Sequence, residues 1–224
     1  MKKLLALLLV AAVGVAIVLC SCDEKEKTAK GDNKIVGGWM SPDSPVVTQE
    51  VKTALKNATA QMTGGTYTPV AYLGSQVVAG TNHRILCEFT PAVKDAEATY
   101  AIVTVYEDLE GKAEITEILG SEAKVNVTDV VIDGGWVAPE TPELTKEAVN
   151  ALKAASEHVV GAAYAPVVLL GTQVVAGTNY CLLCEVTPVT ENAESHYAVV
   201  IVYEGADGNT SVLETYDFTA DAAE

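Results

Sequence analysis

Three cysteines beyond the N-terminal segment are the first candidates for chemistry: Cys87, Cys181 and Cys184. Two thiols separated by two residues in a C-x-x-C pattern can hold a metal ion or form a redox-active disulfide. On a β-strand, however, positions three apart face opposite sides of the sheet, which disfavours both roles. No further ligands occur at a matching spacing. The sequence therefore predicts small buried or half-buried thiols, with no metal and no cofactor.

A second candidate is a short stretch that occurs twice. The residues Gln76–Gly80 (Gln-Val-Val-Ala-Gly) recur 97 positions later as Gln173–Gly177, and Thr-Asn follows both copies. Protein cores tolerate exchanges among apolar residues of similar volume, so core packing alone does not require an unchanged stretch. An unchanged turn of small residues favours contact with a partner, although shared ancestry of the two copies would also preserve it.

The repeat also argues against catalysis. Cys184 has a counterpart in Cys87, but the counterpart of His196 is Thr99, so a Cys–His pair exists in one copy alone. The neighbouring acidic residues Glu107 and Asp108 fit a solvated loop better than acid–base chemistry. We predict that the chain has no catalytic residues and is not an enzyme.

The charge restricts the partners. The formal net charge is −16 over 224 residues. Nucleic-acid binding needs a basic face, so nucleic acid is excluded as a partner.

The N-terminus has the pattern of a secretion signal. Lys2 and Lys3 precede an apolar run from Leu4 to Leu19, and Ser21-Cys22 follows shortly after. This resembles the lipobox of bacterial lipoproteins, with Cys22 as the lipidated residue. Cys20 fits less well because Leu19 precedes it, and a retained transmembrane anchor is the alternative.

These features predict a protein held in the bacterial cell envelope. Residues 1–21 would be a lipoprotein signal peptide, and residues 22–33 a lipidated, flexible tether of charged residues. The acidic residues after Cys22 resemble export signals of surface lipoproteins, which points to the outer membrane or the cell surface. The membrane would then be a partner through the lipid on Cys22.

Each copy of the repeat predicts one helix followed by strands. In the first copy Ser44-Pro45 opens the helix and Gly64 stops it; in the second copy Thr141 caps it and Gly161 ends it. Each helix carries an apolar stripe, and we expect it to cover one face of the sheet because that is the only apolar surface available. The predicted strands are Tyr67–Val78, Thr81–Phe89, Thr99–Glu107 and Ile115–Leu119, then Tyr164–Val175, Thr178–Val186, His196–Glu204 and Ser211–Phe218.

The order of these landmarks resembles a known family. A glycine pair (Gly37-Gly38, repeated as Gly134-Gly135), one amphipathic helix and Gln-Val-Val-Ala-Gly between two strands are similar to the cystatins, and to the stefins in particular. The resemblance implies an α+β fold of two cystatin-like modules, each one helix packed on a curved four- to five-stranded antiparallel sheet. The modules would span residues 34–125 and 126–224.

The resemblance also implies a function, which is reversible, non-covalent inhibition of papain-like cysteine proteases. In that family an N-terminal segment and two hairpin turns form a wedge that fills the active-site cleft. The protease-binding residues that it implies here are Gly37, Gly38, Gln76, Val77, Val78, Ala79, Gly80, Leu109, Gly134, Gly135, Gln173, Val174, Val175, Ala176 and Gly177.

The two copies differ in the second hairpin turn. Leu109 supplies an apolar tip in Glu107–Gly111, whereas Glu204–Gly208 has no comparable residue. We therefore expect the first copy to be the stronger inhibitor of a double-headed pair. The weak second turns motivate the alternative function, a non-inhibitory surface module for binding or adhesion.

Four aromatic or imidazole side chains close to these landmarks have two interpretations each. Trp39 and Trp136 follow the glycine pairs, where they would be contacts for a partner or core residues under the helix. His83 and Tyr180 follow the repeated turn, where they would contact a partner or be exposed on a strand.

Overall fold

A computed structural model describes residues 37–124, 127–128 and 134–220, and all of these belong to one compact unit. The predicted signal peptide, Cys22 and the predicted tether lie outside the described residues, as does the predicted module boundary between residues 125 and 126. Those assignments stay predictions. In the described part of the chain no helix is both long and apolar enough to cross a membrane.

The two helices of the described residues are α1 (Gln49–Thr59) and α2 (Lys146–Ser156). Each begins after a threonine whose side chain accepts a hydrogen bond from a backbone N–H three residues on, Thr48 in α1 and Thr145 in α2. Each helix is shorter than the one predicted from its apolar stripe and begins several residues later than predicted.

The predicted helix starts are wrong for a structural reason. The carbonyl of Pro45 accepts a hydrogen bond from Tyr72 N, and the carbonyl of Pro142 accepts one from Leu169 N. The residues before each helix are thus fastened to the sheet in an extended form. Ser44-Pro45 and Thr141-Pro142 have the pattern of a helix start, but both prolines are hydrogen-bonded to the sheet instead.

Most of the described chain is β-strand. The first repeat holds β1 (Trp39–Met40), β2 (Gly65–Val78), β3 (Gly80–Pro91), β4 (Thr99–Glu107) and β5 (Ala113–Ser121). The second repeat and the segment before it hold β6 (Val127–Thr128), β7 (Trp136–Val137), β8 (Ala162–Val175), β9 (Gly177–Pro188), β10 (His196–Gly205) and β11 (Thr210–Thr219). The eight predicted strands are confirmed, and their ends differ by a few residues at most.

All described strands form one curled sheet in the order β1-β2-β3-β4-β5-β11-β10-β9-β8-β7-β6. Neighbours are antiparallel except β6, which runs parallel to β7 at one edge. The two repeats meet where Ser121 pairs with Phe218 and Gly120 with Thr219, which we call the seam. Ser121 and Phe218 occupy equivalent positions of the repeat, so an approximate two-fold axis passes through the seam.

Each helix packs on the outer face of its own half of the sheet. The buried residues Val51, Ala54 and Leu55 of α1 share a core with residues of β3 and β4, and α1 also lies against β5. The buried residues Ala148, Leu152 and Ala155 of α2 share a core with residues of β8, β9 and β10, and α2 also lies against β11. The apolar stripes of the helices are thus core packing, as the periodicity predicts.

The inner faces of the two halves pack on each other. This inner core contains buried side chains of both repeats: Ala71, Leu73, Leu86, Tyr100, Ile102, Ala123, Val168, Leu170, Cys181, Leu183, Val199, Ile201 and Phe218. Strands β3, β4, β9 and β10 are consequently buried on both faces, which explains their nearly continuous apolar sequences. The prediction that the helix covers the only apolar face is wrong, because the opposite face is apolar too.

The predicted fold class and the cystatin resemblance are both contradicted by this architecture. The protein is mostly β, with one continuous sheet and two short helices in its described part, rather than two helix-on-sheet modules of an α+β class. The seam and the inner core cause the difference, because they fuse the two halves into one sheet. Both involve pairing between residues far apart in sequence, which repeat spacing does not reveal.

The shared inner core predicts cooperative unfolding of both repeats. Leu183 is completely buried in it, and replacing it with Ala should lower the free energy of unfolding by about 2–5 kcal/mol. The two tryptophans lie in different repeats, so single-tryptophan variants report on each repeat in a denaturant titration. We expect both reporters to shift together in one transition.

A matched control is Leu213→Ala, because Leu213 is 51% exposed. It should change the free energy of unfolding by less than about 0.5 kcal/mol. Two separate transitions, with only the second repeat destabilised by Leu183→Ala, would contradict a shared core.

Candidate functional site

Three predicted binding segments of the first repeat meet at one end of the sheet. They are Gly37–Gly38, the turn Val78–Gly80 between β2 and β3, and the turn Asp108–Gly111 between β4 and β5. Gly37 N donates to Val77 O, and Thr81 pairs with Glu107, so the segments are neighbours. We call this set the first turn edge. The sequence prediction that these segments belong together agrees with where the structure places them.

Gln76 ties two of these segments together. Its amide nitrogen Nε2 donates to Gly37 O at 2.8 Å, and its Oε1 accepts from Asn82 Nδ2 at 2.8 Å. The side chain therefore uses both ends of its amide inside the protein. Its invariance between the repeats has an internal cause, namely that it holds the glycine pair against the turn.

Both the backbone conformation and the neighbouring atoms require a glycine at position 80. Its φ is +140°, and a Cβ there would lie 2.4 Å from Glu107 O. Beside it, Tyr106 Oη donates to Ala79 O at 2.7 Å. The turn is thus fixed to β4, which carries the third segment.

The third segment is organised by a carboxylate. Asp108 Oδ1 accepts hydrogen bonds from the backbone N–H groups of Glu110 and Lys112, both at 2.9 Å. This is the local turn chemistry typical of aspartate. Asp108 therefore serves to form the turn. Leu109 lies at the tip of this turn with 88% of its surface exposed.

The second repeat builds an equivalent second turn edge from Gly134–Gly135 and the turns Val175–Gly177 and Ala206–Gly208. Gln173 Nε2 donates to Gly134 O and its Oε1 accepts from Asn179 Nδ2, at 2.8 and 2.7 Å. Tyr203 Oη donates to Ala176 O at 2.7 Å. The framework of hydrogen bonds is thus the same in both repeats.

The surfaces of the two edges differ. The first presents Val78 at 43% exposure together with Leu109, while Val77 is half-buried. The second presents Val174 and Val175 at 74% and 43%, and its last turn has no apolar tip. Gly37, Ala79, Gly134 and Ala176 are exposed, whereas Gly38, Gly135, Gln76 and Gln173 are half-buried.

His83 lies at the base of the first turn edge. It is 6% exposed, its Nδ1 is 3.0 Å from Tyr72 Oη, and its Nε2 is 3.4 Å from Glu107 Oε2. In the second repeat Tyr180 Oη donates to Glu204 Oε2 at 3.0 Å, and Tyr180 is 7% exposed. Both sequence interpretations of His83 and Tyr180 are wrong, because each is a buried partner of the glutamate below the last turn.

The tryptophans also differ from expectation. Trp39 is 39% exposed, and the Arg84 guanidinium carbon lies 3.9 Å from its ring centroid. Trp136 is half-buried and packs against the inner core rather than under a helix. Neither is a core residue beneath a helix.

The cysteines confirm the prediction from strand geometry. Cys181 belongs to the inner core and Cys184 to the core under α2, so they face opposite sides of β9. All three described cysteines are free and buried. Burial raises the pKa of Cys184 to about 12 and also raises those of Cys87 and Cys181, so the thiols are neutral at pH 7. Nowhere in the described residues do three or more metal-ligating side chains gather.

The two turn edges lie at opposite ends of the molecule. β5 runs from the first turn edge to the seam, and β11 runs from the second turn edge to the seam in the opposite direction. The edges therefore point away from each other along the strand direction. Two partners can reach the two edges without meeting.

The sequence did not identify the residues that support the edges. Tyr106, Asn82 and their counterparts Tyr203 and Asn179 make the hydrogen bonds described above. The available signal is that each of them is identical in the two repeats. His83 and Tyr72 gave no such signal, because their counterparts are Tyr180 and Leu169.

Comparison with known proteins adds no family. No protein-family model matches the chain, and no curated protein matches it by sequence. The structure defines the class only as a mostly β protein with a continuous sheet and two similar turn edges.

The support role of Gly80 can be tested by Gly80→Ala. The added Cβ has to displace Glu107 O at an unfavourable φ, so we expect a loss of about 1–3 kcal/mol in the free energy of unfolding. The control is Gly64→Ala, since a Cβ at Gly64 has no atom within 4 Å and should change stability by less than about 1 kcal/mol. Thermal or denaturant unfolding measures both, and equal effects would contradict the tight fit at Gly80.

Proposed function

We propose that the first turn edge inserts into the cleft of a papain-like cysteine protease and inhibits it reversibly, without any covalent step. The observation that carries this proposal is the hydrogen-bonded framework that holds three segments at one end of the sheet. Gln76 joins the glycine pair to the first turn, and Tyr106 joins that turn to β4. A rigid edge loses little conformational entropy on binding, which favours tight association.

The side chains at this edge suit a narrow apolar groove. Ala79 and the glycine pair are small, so the backbone can approach the walls of a cleft closely. Val78 and Leu109 provide exposed apolar contacts at two of the three segments. The protein itself would supply no nucleophile, base or metal, so the proposal is an inhibitor and not an enzyme.

We also propose that the protein acts at the bacterial cell envelope, held there by a lipid on Cys22. The lipobox-like sequence before Cys22 and the charged segment that follows it support this placement. A tether of that kind would leave the folded part free to meet proteases near the membrane.

The second turn edge supports a double-headed arrangement. It repeats the framework and lies at the opposite end of the molecule, so occupancy of one edge leaves the other accessible. The missing apolar tip predicts that it binds more weakly. At saturation the ratio of protease to inhibitor would approach two.

One observation favours the alternative, a non-inhibitory module for surface binding or adhesion. The glutamine and the glycine of the repeated Gln-Val-Val-Ala-Gly stretch are accounted for by contacts inside the protein, so their repetition does not require a protease. In this case the edges would bind a partner without blocking an active site.

The test is a titration of papain with the full chain in mild detergent, comparing Leu109→Asp with the unaltered protein. A charge at the exposed tip removes an apolar contact without disturbing the fold, so the inhibition constant should rise about tenfold or more. The control is Val93→Asp, which alters a residue 70% exposed at the other end of the first repeat and should leave inhibition unchanged.

The outcomes separate the two functions. Absence of inhibition at micromolar concentration contradicts the protease proposal. Protease binding without loss of activity supports the surface-binding alternative. The titration endpoint reports how many heads act, and Val174→Asp should lower it towards one because Val174 is the most exposed apolar residue of the second edge.

A further inference from the structure

The second repeat shows how a short strand docks beside its tryptophan. β6 lies parallel to β7, with Val127 paired to Trp136 and Thr128 to Val137. Val127 packs against the inner core, and a Cβ at Gly171 would be 3.1 Å from its Cγ2. Gly171 therefore leaves the space that the Val127 side chain occupies.

The first repeat has the same backbone arrangement at β1. Trp39 and Met40 pair with β2 as Trp136 and Val137 pair with β8, and Gly74 is the counterpart of Gly171. The outer side of β1 pairs with no strand in the described part of the chain. Trp39 is accordingly more exposed than Trp136.

The residue on the neighbouring strand that pairs with this glycine is charged in the first repeat and neutral in the second. Gly171 pairs with Cys181, a buried neutral thiol, whereas Gly74 pairs with Arg84. The Arg84 guanidinium lies over the Trp39 ring and forms no ion pair with any described residue. Its Nε is buried and lacks a hydrogen-bond partner among them. A buried unsatisfied donor on a cation is costly, so this position favours an anionic acceptor.

The chain's own sequence offers no such acceptor at the matching position. The residues 97 positions before Val127 and Thr128 are Lys30 and Gly31. A lysine in place of Val127 would set a second cation beside Arg84, and like charges in proximity repel. The occupant that fits the position has the opposite charge.

We propose that the outer edge of β1 is a binding site for an extended polypeptide strand of a partner protein, which runs parallel to β1 and places an Asp or Glu side chain on Arg84. Backbone hydrogen bonds to Trp39–Met40 supply strand addition at a sheet edge, and the carboxylate supplies specificity. Gly74 itself is covered by the Met40 carbonyl and the Trp39 ring, so the acidic side chain would lie beside the Trp39 ring, against Arg84. This site is separate from the turn tips and does not rest on the proposed inhibition.

The test uses a fluorescently labelled peptide that copies residues 124–131 with Val127→Glu, and the same peptide with the native valine. Fluorescence anisotropy with the full chain in mild detergent measures both affinities. We expect the glutamate peptide to bind at least about tenfold more tightly than the valine peptide, because a desolvated charge pair contributes on the order of 1.4 kcal/mol or more. Salt should weaken this preference.

The repeat provides the matched variant. Arg84→Cys copies the second repeat, so it should abolish the preference for glutamate and favour valine; Arg84→Gln should abolish the preference while retaining a polar side chain. Circular dichroism confirms that each variant is folded. Failure of the glutamate peptide to bind, or a preference that survives both substitutions, overturns the proposal.

Discussion

The packing of two apolar sheet faces against each other is the constraint on which the rest of this protein depends. Leu86 and Ile102 from the first repeat share one core with Leu183 and Val199 from the second, and all four are fully buried. Exposed to water, either face would be a large apolar surface. Burying this face is favourable by roughly 25 cal/mol per Å² of apolar area, so each half of the sheet needs the other half to cover its inner face.

This shared core also determines where the functional surfaces lie. Once the inner faces are joined and the helices cover the outer faces, the ends of the strands and the outer edge of β1 are what the fold leaves for partners. The approximate two-fold axis through the seam then sends the two turn edges to opposite ends. The same symmetry shows where the repeats diverge, since Arg84 replaces Cys181 and Leu109 has no apolar counterpart.

Several features of the site follow from local rules, which is why the sequence predicted them. Cys181 and Cys184 lie on opposite faces because side chains alternate along a strand. The strands were found because β-branched and aromatic residues cluster between turn residues. The family resemblance was wrong, but the three segments that it grouped in each repeat do lie side by side in the structure. Their supporting contacts, such as Tyr106 to Ala79, join residues 27 apart and needed the coordinates.

The sequence by itself determined the repeat, the strands, the existence of one helix in each copy and the acidic character of the chain, because these depend on composition and on neighbours within a few residues. Only the tertiary structure decided that the two halves form one sheet and that His83 is buried beside Glu107. It also decided that the Gln76 side chain makes its hydrogen bonds inside the protein. Each of these depends on which apolar face meets which, and on strands paired across long separations. A repeat of 97 residues is equally compatible with two separate modules and with two halves of one core, and the energy of burying both inner faces selects the second.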